Sequence, residues 1–96
     1  MISIYKVKGD SMRPTFSSQD YILAIRWFSR SKLQVGDIIV FDSSKYGVCI
    51  KRVFKRLPSQ KAVLVEGDNP ISTSSEDIGP VLYNHITAKF LYHFRK

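Results

Sequence analysis

Six short segments rich in Val, Ile, Tyr and Phe alternate with turn signals along the chain, and none of them shows a sustained helical period. Apolar segments of this length and composition are typical of β-strands. The predicted strands cover residues 2–7, 21–28, 38–41, 48–54, 62–66 and 86–94. We therefore expect a mainly β protein built on one small, curled antiparallel sheet.

The length of the chain bounds its domain organisation. A chain of 96 residues can form only one small hydrophobic core, so residues 1–96 are predicted to be a single domain. Its longest apolar run, residues 21–25, is far shorter than the roughly 20 residues of a membrane-spanning helix. The N-terminus also lacks the apolar core of a signal peptide, so we expect a cytoplasmic protein.

Charge and cysteine content narrow the classes of partner and cofactor. The net charge of +7 admits nucleic acid, anionic lipid or an acidic protein as partner, but no segment resembles a sequence-specific nucleic-acid motif. Cys49 is the only cysteine, which excludes an internal disulfide and a multi-cysteine zinc site. His85 and His93 are expected to be exposed or structurally paired histidines. We predict no metal and no cofactor.

Ser11 and Lys51 are the candidate catalytic pair. A serine hydroxyl becomes a good nucleophile only when a base removes its proton, and lysine can act as that base when apolar surroundings lower its pKa. Period-two alternation places Lys51 on one strand face with Cys49 and Val53, among apolar neighbours. The alternative interpretation is a turn serine and a lysine that extends to solvent.

Four sequence blocks carry a family resemblance. They lie at residues 9–16 (GDSMRPTF), 35–41 (VGDIIVF), 51–52 (KR) and 67–79, where the last block opens with GDNP. Their order and compact spacing resemble the signal peptidase I family of serine-lysine peptidases. The GDNP opening is most similar to the small soluble members, including the proposed maturation proteases of nickel superoxide dismutase.

The resemblance implies a fold and a set of roles. The fold would be the small, barrel-like antiparallel sheet of the signal peptidase catalytic core. Ser11 would be the nucleophile, its backbone N–H would stabilise the oxyanion, and Lys51 would be the general base. Ser72 would orient the lysine amine, with Thr73 as the alternative alignment. Some members carry a hydroxyl two residues before the nucleophile, but Gly9 occupies that position here, so the second oxyanion donor is not identified.

The expected activity is that of a serine endopeptidase which removes a leader or propeptide from a protein substrate. The substrate would bind as an extended strand, with small residues just before the scissile bond, beside Met12. One alternative is a non-catalytic basic binding module on the same fold. Another is a relative of the self-cleaving repressor peptidases, which is disfavoured because no DNA-binding segment precedes Ser11.

Trp27 and Phe28 form a candidate contact with substrate or membrane. They lie among Arg26, Arg30 and Lys32, and aromatic side chains amid cations suit a lipid headgroup surface. The family resemblance favours peripheral contact with a membrane over binding of nucleic acid. The alternative is a hairpin whose aromatic rings pack on the sheet.

Overall fold

A computed structural model describes residues 1–71 and 78–95, and the strands within them form a single sheet. In chain order the strands are β1 (Ile2–Lys6), β2 (Tyr21–Ile25), β3 (Ile38–Ser43), β4 (Gly47–Leu57), β5 (Ala62–Glu66), β6 (Val81–Leu82) and β7 (Ile86–Phe94). The spatial order is β1-β2-β7-β3-β4-β5-β6, and every neighbouring pair is antiparallel. The prediction of a mainly β fold is confirmed.

The six predicted strands are all present, with differences at their ends. β2 ends at Ile25 rather than at residue 28, and β4 extends from Gly47 to Leu57, beyond both predicted limits. The two-residue strand β6 was not predicted, because two residues show no periodicity. The structure also has 3₁₀ turns at Arg30–Lys32, Pro58–Gln60 and Tyr83–His85.

Strand β3 is buried on both faces, which explains its uninterrupted apolar sequence. Ile38 and Val40 point into one hydrophobic cluster, whereas Ile39 and Phe41 point into the other. The first cluster also contains Val7, Met12, Phe16, Ile22, Ala24 and Ala88. The second also contains Leu33, Val53, Val63, Val65, Val81 and Ile86. The core therefore lies on both sides of one central strand.

The sheet curls because its ladders are irregular at several points. The register shifts between Leu23 and Ala24, between Val40 and Phe41, and between Val53 and Lys55. Such bulges bend a strand and increase its twist. Over the described residues the sheet does not close into a barrel, since β1 pairs only with β2 and β6 only with β5.

The bend in β4 leaves part of that strand without a second partner. β4 pairs with β3 from Gly47 to Arg52 and with β5 from Arg52 to Leu57. Within the described residues, positions 47–51 therefore have an open edge on the side away from β3. β1 has an open edge as well, and both segments border the same cleft.

Candidate active site

Ser11 lies in the long loop that joins β1 to β2, and buried side chains hold that loop on the core. Met12 and Phe16 are each only 1% exposed, and the Phe16 N–H donates to the Met12 carbonyl at 2.9 Å. The backbone N–H of Asn69 donates to the Ser11 carbonyl at 2.9 Å. The half-buried Ser11 is thus held from the core side and from the segment that follows β5.

The two ends of this loop are joined by hydrogen bonds. The Val7 N–H donates to the Asp20 carbonyl at 2.7 Å, and the Asp20 carboxylate accepts the Ser17 N–H at 3.0 Å. The same carboxylate lies 2.8 Å from Nε2 of His93, whose ring packs edge-on against Phe16. His93 therefore has a structural role, as expected, while His85 is exposed.

Lys51 is a buried cation on β4. It is 6% exposed, and it shares its face of the strand with Cys49 and Val53, as the alternation predicted. Burial lowers the pKa of the Lys51 amine, and the nearby Cys49 thiol offsets part of that effect. The pKa of Cys49 is raised, mainly by burial, which makes this thiol a poor nucleophile. These surroundings shift the lysine toward its neutral, basic form.

Ser11 and Lys51 line one cleft of about 740 Å³ between the open edges of β1 and β4. Its remaining described lining is mainly apolar and includes Ile4, Val48, Cys49 and Ile78. No hydrogen bond joins the Ser11 hydroxyl to the Lys51 amine over residues 1–71 and 78–95. An apo geometry does not need that bond to be formed, since catalytic hydrogen bonds often tighten only around a substrate.

The residue next to Lys51 organises the surroundings of the cleft. Arg52 projects to the opposite side of β4 and makes two hydrogen bonds of 2.8 Å to the Asp68 carboxylate. A third bond of 2.8 Å reaches the Gly36 carbonyl. The Thr15 hydroxyl donates to the same Asp68 carboxylate. The Arg52 guanidinium and the Asp68 carboxylate together connect all four sequence blocks.

Sequence reasoning missed this network. The sequence analysis gives neither Arg52 nor Asp68 a partner. The available signal was the position of Arg52 next to Lys51, because a strand that buries Lys51 on one face presents Arg52 on the other. An arginine so positioned favours a carboxylate partner.

The other predicted site residues that the structure describes lie in different parts of the fold. Met12 borders the cleft, but its side chain belongs to the first hydrophobic cluster. Trp27 is 83% exposed, away from the Ser11 cleft, whereas Phe28 is half-buried against the second cluster and lies under Arg30. Ser72 and its alternative Thr73 fall outside the described residues. Gly9 has a φ of 78°, a conformation that favours glycine.

The part of the chain that the structure describes contains neither a metal-ligand cluster nor a membrane-spanning helix. No group of three or more His, Cys, Asp or Glu side chains is arranged to hold a metal ion there. Among the described helices, none has the length and apolarity to cross a membrane.

One family model matches most of the chain. The family model described as "Signal peptidase, peptidase S26" matches residues 1–61, which include Ser11, Lys51 and Arg52. The chain belongs to the signal peptidase family S26. Membership supports a signal-peptidase-like protease. No curated protein matches the chain at a significant level.

The Arg52 network should contribute measurably to stability. We expect Asp68→Asn to lower the free energy of unfolding by about 1–3 kcal/mol at neutral pH, because Arg52 loses a charged, hydrogen-bonded partner. The hydrogen bonds from Arg52 hold the pKa of Asp68 below its usual value. The wild-type contribution is therefore present above the unfolded value of about 3.9 and is lost as the pH falls through the lowered folded value. Urea unfolding at neutral and acidic pH measures both effects.

Asp10→Asn is the matched control for this prediction. Asp10 pairs with Arg13 at 3.8 Å, and both side chains are more than half exposed. The change should therefore alter stability by less than about 0.5 kcal/mol. Equal losses in the two variants would show that the Arg52 network contributes no more than a surface ion pair.

The burial of Lys51 should reduce stability. We expect Lys51→Met to raise the free energy of unfolding at neutral pH by about 1 kcal/mol or more, because methionine fills similar space without a buried charge. Since the folded pKa of Lys51 is lowered, the unfolded chain binds more protons between the folded and unfolded values, and wild-type stability rises with pH there.

Thermal and urea unfolding across alkaline pH test this expectation, and Lys51→Met should lack the rise. The exposed Lys55 lies on the same strand, so Lys55→Met is the control and should change little. A destabilised Lys51→Met protein would mean that the amine makes a favourable interaction in the folded state.

Proposed function

We propose that the protein is a serine endopeptidase with Ser11 as nucleophile and Lys51 as general base. The observation that carries this proposal is the shared cleft, in which a half-buried serine and a buried lysine with a lowered pKa occur together. Family membership supports a peptidase in general. The assignment of Ser11 and Lys51 as its catalytic pair is the more specific part of the proposal.

The chemistry follows from the two side chains. The neutral Lys51 amine takes the Ser11 hydroxyl proton as Oγ attacks the substrate carbonyl, and a tetrahedral intermediate forms. The Ser11 backbone N–H would donate to the oxyanion, since no acceptor within the described residues takes its hydrogen bond. The Lys51 ammonium then gives its proton to the leaving amine, and water hydrolyses the acyl-enzyme. Ser72 would orient the lysine amine.

The substrate would be an extended segment of another protein, a leader or propeptide. Within the described residues, the open edges of β1 and of residues 47–51 offer unpaired backbone groups on two sides of the cleft, and an extended peptide can pair with such edges. Small residues before the scissile bond and a role in maturing nickel superoxide dismutase are the finer proposals that the sequence resemblance suggests.

We also propose a cytoplasmic protein that contacts an anionic membrane surface peripherally. Met1 and Trp27 are 77% and 83% exposed, and they line a second cavity together with Arg26 and Arg30. An apolar surface bordered by cations suits the headgroup region. Phe28 contributes less, since its half-buried ring packs against the second cluster.

The dyad predicts that Ser11→Ala and Lys51→Arg each reduce cleavage of a proteome-derived peptide library by about 10²–10⁴ or more. Arginine keeps the charge but cannot release its proton near neutral pH. Wild-type activity should rise with pH through the lowered pKa of Lys51, because only the neutral amine accepts a proton. Initial rates of peptide cleavage, measured for each protein across pH, test both expectations. Circular dichroism checks that each variant is folded.

Lys55→Arg is the control for the base, because it makes the same change at an exposed position of β4. Full activity in Lys55→Arg with none in Lys51→Arg would support the assignment. Substantial cleavage by Lys51→Arg would rule out lysine as the base. If wild type and Ser11→Ala were equally inactive, the non-catalytic binding module would replace the peptidase as the better hypothesis.

The membrane proposal predicts that wild type cosediments with anionic vesicles at low salt and that Trp27→Ser loses most of this binding. The indole should insert among the headgroups while Arg26 meets the lipid phosphates. Val35→Ser, at another exposed apolar position, is the control. Equal sedimentation of the three proteins, or of none, would remove Trp27 from any membrane contact.

A further inference from the structure

The charged residues that line the Ser11 cleft are all cationic in the described part of the chain. They are Lys6, Lys8 and the buried Lys51, and no described carboxylate lines the cleft with them. Lys6 and Lys8 are exposed and form no ion pair within the described residues. The Lys6 amine lies 6.0 Å from the centre of the Tyr21 ring, at the rim of the sheet.

Most described carboxylates are engaged elsewhere. Their partners are other side chains: Asp10 contacts Arg13, Asp20 contacts His93, Asp37 contacts Lys89 and Asp68 contacts Arg52. A chain with a net charge of +7 therefore leaves two unpaired cations beside the candidate nucleophile. Like charges gathered at one cleft attract ligands of the opposite sign and raise their local concentration.

The position of an acidic group on the substrate is constrained by Lys51. A carboxylate beside that amine would stabilise the ammonium form, raise its pKa and weaken it as a base. Lys8 lies three residues before Ser11 in sequence, and Lys6 lies at the end of β1. An acid that contacts these two lysines would be removed from the scissile bond by a few residues along an extended peptide.

We propose that the cleft selects acidic peptides, namely extended segments with Asp or Glu a few residues from the scissile bond, which pair with Lys6 and Lys8. This inference rests on the proposed peptidase function, because it names the substrate class of the same cleft. Lys6 and Lys8 are specificity residues in this assignment, and they take no part in the proton transfer.

The test begins with the peptide that wild type cleaves best in the library. Matched versions carry Glu or Gln at each flanking position in turn, and kcat/KM is measured at low and high salt. We expect a Glu version to be preferred by roughly 2- to 10-fold at low salt, since exposed ion pairs are weak, and the preference should shrink at high salt. Equal values for Glu and Gln at every position would overturn the proposal.

Charge reversal adds a sharper comparison. The double variant Lys6→Glu with Lys8→Glu should lose the preference for Glu and should favour peptides with Lys at the same position. Lys55→Glu with Lys61→Glu makes the same change in net charge at exposed positions outside the cleft lining and should keep the wild-type preference. A similar loss in both double variants would attribute the preference to net charge alone and overturn the assignment to Lys6 and Lys8.

Binding separates this inference from the proposed function. Fluorescence anisotropy of a labelled extended peptide of small apolar residues, made in Glu and Gln versions, with the Ser11→Ala protein needs neither catalysis nor a peptide chosen by cleavage. Tighter binding of the Glu peptide, lost in Lys6→Glu with Lys8→Glu, would support the acidic preference even if wild type cleaved nothing. Equal binding of both peptides, together with normal cleavage by wild type, would reject the preference and leave the peptidase intact.

Discussion

The paired hydrogen bonds between Arg52 and Asp68 are the interaction on which the arrangement of the cleft depends. At 2.8 Å each, they connect the middle of β4 to the segment after β5. The Thr15 hydroxyl brings in the Ser11 loop through the same carboxylate, and Gly36 adds the turn before β3. Segments distant in sequence are thereby held at one point, and the serine and lysine are carried by two of them.

Side chains alternate between the two faces of β4, so adjacent cations on this strand have opposite pKa shifts. Arg52 keeps its charge with the help of Asp68, which raises the pKa of the guanidinium further. Lys51, one residue away, faces apolar neighbours that lower its pKa. The free energy lost by burying an ammonium group is offset by hydrophobic packing on both faces of β3, to which Val53 of β4 contributes. The candidate base is thus supported by its structural neighbours.

The strands were predictable because burial on one face imposes a period of two, and β5 and β7 match their predicted limits. The end of β2 was not predictable from the sequence, because tertiary contacts determine that Phe28 leaves the sheet and packs against the second cluster. Ser11 and Lys51 could be identified as candidates from the sequence, because their local chemistry and the order of the sequence blocks both indicate them. The pairing of Arg52 with Asp68 depends on how distant segments meet, and sequence alone does not specify that partner.

The open strand edges beside the cleft create a risk of aggregation, and Lys6 and Lys8 help to reduce it. A strand with unpaired backbone groups can pair with the same strand of a second copy, which leads to aggregation. Lys6 at the end of β1 and Lys8 just beyond it oppose such pairing, because two copies would bring like charges together. A segment that carries carboxylates meets the opposite charge at the same edge. The same two lysines would therefore disfavour pairing between copies and favour an acidic strand in the cleft.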